Sequence, residues 1–102
     1  MSIDEIRNGV AAKRIRWTTH CVEKMGERDI SIEDIRQCID QGEIIEDYPD
    51  DFPHPSCLIY GKAEDNRVIH VVAGFDGETV YIITAYEPNT DKFEEDLKTR
   101  RK

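Results

Sequence analysis

The spacing of apolar residues changes at Gly42, and this change constrains the fold more than any other feature of the chain. Ahead of it, apolar residues recur three and four apart, the pattern of the buried stripe of a helix. Behind it, β-branched and aromatic residues gather in short runs divided by turn residues, as in a meander of strands. A helical half followed by a strand half predicts an α+β fold, with N-terminal helices packed on an antiparallel sheet of about four strands.

In the first half, Ser2 and Glu5 form a capping box that opens a short helix through Ile3, Ile6 and Val10. The stretch Ile15-Arg16-Trp17 reads as an edge strand, with Trp17 in the core. Thr18 or Thr19 caps a second helix, its inner face Cys21, Val22 and Met25 and its outer face Glu23, Lys24, Glu27 and Arg28. Ser31 and Asp34 mark the start of a third, which Ile30 and Ile35 are spaced to staple. Its apolar face is Ile32, Ile35, Cys38 and Ile39, and Gly42 is expected to end it in left-handed backbone.

In the second half the runs predict strands over 44–48, 57–62, 67–75 and 79–86, with Pro49, Pro53 and Pro55 keeping the first connection irregular. Asp76-Gly77 supplies the positive φ of a two-residue hairpin, and Asp65-Asn66 is a second turn signal. Residues 89–97 are expected to form a last helical turn or two, leaving 98–102 as a polar tail.

With 102 residues the chain has room for one core, so a single domain over 1–102 is expected. No apolar run approaches the ~20 residues that span a bilayer, and the acidic start Met1-Ser2-Ile3-Asp4-Glu5 is unlike a secretory leader, so the expected location is the cytoplasm. Cys21, Cys38 and Cys57 show no C-x-x-C pairing and read as reduced core thiols.

A net charge of -8 opposes simple binding of a polyanion. The charge is uneven, however. Acid concentrates at Glu43, Glu46, Asp47, Asp50 and Asp51, while base concentrates at Lys13, Arg14 and Arg16 and again at Lys98, Arg100, Arg101 and Lys102. If the two ends meet, they make one basic patch.

Walker, G-x-G-x-x-G, H-E-x-x-H, G-x-S-x-G and EF-hand patterns are absent, which leaves a sparse set of polar groups to carry any chemistry. His20 lies at a helix entry, where free N–H groups can hold an anion and disfavour imidazolium, or where it simply helps the cap. His70 interrupts the apolar run Val68 to Val72, either as a bonded core histidine or as an acid or base on a cleft. Arg28, Arg100 and Arg101 suit phosphate by geometry, though a helix-end arginine can equally satisfy carbonyls and a terminal pair can be a free tail. A two-residue turn at Asp76-Gly77 would set His70 against Ile83 and Tyr86 against Arg67, on opposite faces; a bulge would reverse this. In the companion hairpin Gly61 would face His70 and leave its ring accessible.

The order His20, Glu27-Arg28-Asp29-Ile30-Ser31, Gly42-Glu43-Ile44-Ile45, Ile69-His70-Val71-Val72, Ile83-Thr84-Ala85-Tyr86-Glu87-Pro88 resembles a bacterial family, domain of unknown function 4258 (DUF4258). The likeness runs from Arg16 to Arg101, its ending included. That family resembles the BrnT and RelE toxins. The resemblance implies a metal-independent endoribonuclease (mRNA interferase) of a type II toxin–antitoxin system, with no cofactor, RNA as substrate and a small YgiT-type zinc-finger antitoxin as partner. It assigns His20, His70 and Tyr86 to catalysis and Arg28, Arg67, Arg100 and Arg101 to phosphate. The rival expectation, prompted by the negative charge, is a non-catalytic protein-binding module on the same fold.

Overall fold

The computed structural model describes residues 1–102. Three helices, α1 (Ile3–Ala11), α2 (Thr19–Arg28) and α3 (Ile32–Gln41), precede most of a five-stranded sheet. Its strands are β1 (Ile15–Trp17), β2 (Glu43–Tyr48), β3 (Ser56–Lys62), β4 (Val68–Phe75) and β5 (Val80–Tyr86), in the order β1-β5-β4-β3-β2. The α+β expectation holds, but the sheet is mixed rather than four-stranded and antiparallel. β1 pairs with β5 in parallel, pinned by Val80 N–H donating to the Arg14 carbonyl at 2.9 Å and Thr18 N–H to that of Ile82 at 3.2 Å. Most of the chain separates these partners, so no local turn signal announces the pairing.

Local chemistry sets the helix limits. Ser2–Glu5 and Ser31–Asp34 form reciprocal capping boxes, and Thr18 Oγ1 accepts from Cys21 N–H at 3.1 Å. Asp29 closes α2 in left-handed backbone. Gly42 departs from expectation: its φ of -91° and ψ of -170° are extended. Glycine stands there because a Cβ would lie 2.3 Å from the carbonyl oxygens of Cys38 and Tyr60. Gly61 serves the same contact, since a Cβ would lie 2.6 Å from the Cys38 carbonyl. α3 therefore rests directly on β3.

All three helices cover one face of the sheet. Ile6, Cys21, Met25, Ile35, Cys38 and Ile39 pack there on Ile59, Ile69, Val71, Val80 and Ile82 in one apolar cluster. Val22 and Ile32 were expected in this face but are 56% and 43% exposed. Val22 is one step, about 100°, round the helix from Cys21, and Ile30 fills the core at the start of α3 in place of Ile32. The cysteines are free and buried, and burial pushes the Cys38 and Cys57 thiols up to about 12.

The opposite face carries Leu58, Tyr60, His70, Val72 and Tyr86, which alternate with the core residues. Residues 88–102 fold back across it with no helix. Arg101 N–H donates to the Lys92 carbonyl at 2.8 Å, Glu94 N–H to that of Thr99 at 2.7 Å, and Phe93 bridges to Arg100. Asp96 Oδ1 accepts from the N–H groups of Lys98 and Thr99, each at 2.9 Å, capturing amides that a helix would have used. The expected last helix and free tail are thus one strap. No helix of the chain is long and apolar enough to cross a membrane.

Candidate functional site

The β4–β5 register decides which polar side chains meet. The turn is longer than two residues: Phe75 pairs with Val80, and Asp76 Oδ1 accepts from Glu78 and Thr79 N–H at 2.9 and 2.7 Å. That change of two residues alone would set His70 against Ala85 and keep Tyr86 on the other face. A bulge intervenes, because Val72 pairs with Thr84 and Ala73 with Ile82, leaving Ile83 without a partner. One extra residue flips the faces, so His70 pairs with Tyr86. On its other side His70 pairs with Tyr60, not Gly61, because the β3–β4 hairpin is offset by one from expectation.

His70 is fully buried. Phe93 from the strap stands edge-on to its ring, with centroids 4.7 Å apart and planes at 90°. Its Nε2 lies 2.6 Å from the carbonyl of Leu97, a residue in left-handed backbone with φ 59°. A carbonyl only accepts, so Nε2 carries the hydrogen. In the neutral ring Nδ1 is then an acceptor, and the Tyr86 hydroxyl donates to it at 3.3 Å. Burial holds His70 below the ordinary histidine pKa, with the Leu97 carbonyl partly opposing, and burial raises the Tyr86 phenol. Both are neutral at pH 7. The expectation that Gly61 opens the ring to solvent is therefore overturned: Tyr60 lies beside a fully buried ring.

Tyr86 opens into a hollow of about 440 Å³ whose charged lining is Arg28, Lys92, Arg100 and Glu87. Arg28, in the last turn of α2, is held by Nη1 donating to the Ala85 carbonyl at 2.9 Å and to Thr84 Oγ1 at 3.2 Å. Arg100 comes from the strap: Nε and Nη2 donate to Glu46 at 3.1 and 3.0 Å, and its guanidinium lies 4.8 Å from the Phe93 ring centre. This pairing lowers the Glu46 pKa and raises that of Arg100. Both arginines keep unused N–H donors, and a third cation, Lys92, comes from the strap.

Four of the seven candidate residues thus come together: His70 and Tyr86 as a bonded pair, with Arg28 and Arg100 in the wall beside them. Three do not. His20 is exposed on α2, whose buried side packs on the helix-covered face of the sheet. Arg67 is held by acid, its Nε 2.8 Å from Asp65 and its other nitrogens 3.4 Å from Asp34 and 3.7 Å from Glu87. Arg101 pairs with Glu94 at 2.9 Å within the strap. The N-terminal base does not join the C-terminal base either, since Arg14 Nε donates to the Glu78 carbonyl at 3.0 Å, near the far hairpin. Sequence reasoning missed Lys92, Phe93 and Leu97 as site residues. Their only signal was the apolar Phe93 and Leu97 within an otherwise polar terminus.

A search of curated proteins and a search of solved structures each return no match. The family model for a domain of unknown function, DUF4258, matches residues 17–87. The matched stretch begins at the last residue of β1 and ends just past Tyr86, so it holds Arg28, His70 and Tyr86 and stops short of the strap. Spanning well over half of the 102 residues, it establishes that the chain belongs to the DUF4258 family.

Proposed function

We propose that the protein is a toxin-like, metal-independent endoribonuclease acting on single-stranded RNA. The observation that carries this reading is the bonded Tyr86–His70 pair at the edge of a hollow lined by Arg28, Lys92 and Arg100. RNA cleavage of this type needs a base for the ribose 2′-OH, an acid for the leaving 5′ oxygen and cations for the charged phosphorane. Tyr86 accepts the 2′-OH proton at Oη while its own passes to His70 Nδ1. The resulting imidazolium keeps its Nε2–H bond to Leu97. Arg28 and Arg100 face the phosphate through donors their protein partners leave free, and Lys92 protonates the leaving oxygen. The products are a 2′,3′-cyclic phosphate and a 5′-hydroxyl.

The hollow is concave and walled by the strap, which favours an unpaired nucleotide over a duplex. A partner covering it would silence the activity, and a YgiT-type zinc-finger antitoxin is the partner this reading implies. The test is cleavage of single-stranded RNA by purified protein in EDTA, with the end groups identified.

A second reading, a non-catalytic binding module, is favoured by the pairing of Arg67, Arg100 and Arg101 with acids of the chain itself. On that reading Tyr86→Phe changes stability alone.

A further inference from the structure

The helix-free face carries a second hollow at its other end, remote in register from Tyr86. It has a volume of about 170 Å³, and Phe52, His54, Tyr81 and Ile83 form its walls over Gly74. His54 stacks on Tyr81 with ring centres 4.9 Å apart and planes 18° from parallel, so the two rings brace each other at the wall of the hollow. Phe52, on the β2–β3 loop, is 96% exposed. Nothing within the fold requires an aromatic ring in that position.

Charge selects the occupant. Asp51 lines the hollow, and while its Oδ2 accepts from Ser56 Oγ, its Oδ1 has no donor from the protein. Asp50 precedes it in sequence, and Asp76 accepts from the Tyr81 hydroxyl at 3.0 Å. Arg16, the β1 neighbour of Tyr81, is a cation beside this group but does not line the hollow. The local balance is acidic, which repels a polyanion and attracts a cation. Aromatic faces with a free carboxylate oxygen are the chemistry that recognises a guanidinium, which stacks flat and directs its N–H groups in plane.

We propose that this hollow binds an arginine side chain presented by a basic polypeptide partner, stacked against Phe52 with its donors on Asp51. The site is independent of the ribonuclease reading and lies at the other end of the sheet face. A polypeptide seated here would sit on the same face as the basic hollow, so one partner of sufficient length reaches both.

The test is an NMR titration of the full chain with a short arginine-containing peptide, with the same peptide carrying citrulline, and with a short single-stranded RNA. The arginine peptide should give saturable shifts at Phe52, His54 and Tyr81. The neutral citrulline peptide should bind about tenfold more weakly, and Phe52→Ala and Asp51→Asn should each weaken the arginine peptide by about fivefold, the size of an exposed cation–π or ion-pair contact. Both substitutions are at exposed loop positions, and melting temperatures equal to that of the parent chain are the control that the fold is intact. Equal binding of arginine and citrulline peptides, an absence of shifts, or shifts that survive Phe52→Ala would overturn the proposal, as would RNA perturbing this hollow in place of the peptide. RNA shifts confined to Lys92 and Arg100 concern only the ribonuclease reading.

Discussion

His70 and Tyr86 meet because Ile83 does not pair: the unpartnered residue in β5 turns the Tyr86 side chain onto the face that carries His70. With the strap supplying Leu97 to the far nitrogen, the pair becomes a three-part chain of hydroxyl, imidazole and carbonyl ending at a basic hollow.

Tyr86→Phe removes the hydroxyl and nothing else. RNA cleavage should fall by about 10²–10⁴-fold, the usual worth of a positioned proton-transfer group. Stability should fall by only about 1 kcal/mol, the net value of one hydrogen bond, measured by urea denaturation.

His70→Gln retains a side chain able to hydrogen-bond but cannot take up the proton, so cleavage should drop to the level of Tyr86→Phe and the double variant should be no worse. Non-additive rates would identify the two residues as one unit. Additive losses would show that they act separately.

The pH dependence of stability has a definite sign. Burial lowers the His70 pKa in the native state, so above the unfolded value of about 6.5 both states are neutral and His70 contributes no slope. As pH falls below that value, the unfolded chain takes up a proton that the native chain refuses. Stability therefore declines below about pH 6.5, by at most about 1.4 kcal/mol per pH unit from this group, before the carboxylates titrate. Urea melts between pH 7.5 and pH 5 should show a shallower decline in His70→Gln.

Lys92→Ala should weaken binding of single-stranded RNA and reduce the salt slope by about 0.7, the value of one phosphate contact, with little change in stability. Arg100→Ala should also weaken RNA binding. It should in addition cost about 1 kcal/mol, since Arg100 ties the strap to Glu46 and covers Phe93. Exposed His20→Ala should change neither, with stability within about 0.5 kcal/mol of the parent chain.

Legibility from sequence divides along physical lines. Capping boxes at Ser2–Glu5 and Ser31–Asp34, and the change of period at Gly42, are local signals, and the helices and four meander strands lie within a residue or two of their expected limits. The parallel pairing of Ile15–Trp17 with β5 is non-local and left no such trace. The site failed to be legible for a related reason. Face assignment in a strand has a period of two, so the single unpaired Ile83 reverses every inference beyond it, and the one-residue offset in the other hairpin replaces Gly61 by Tyr60 beside His70. The strap was hidden because Asn89 and Asp96 accept backbone N–H groups through their side chains, which no hydrophobic pattern encodes. His20 had the local marks of an anion site, yet only the packing of α2 on the covered face determines where it points.

The most direct test of the account is cleavage of a single-stranded RNA in EDTA by the purified chain and by Tyr86→Phe, compared at equal folded concentration. The parent chain should yield fragments ending in 2′,3′-cyclic phosphate, and the variant should lose at least about 100-fold in rate. Intact RNA with the parent chain, or equal cleavage by both proteins, would contradict the account.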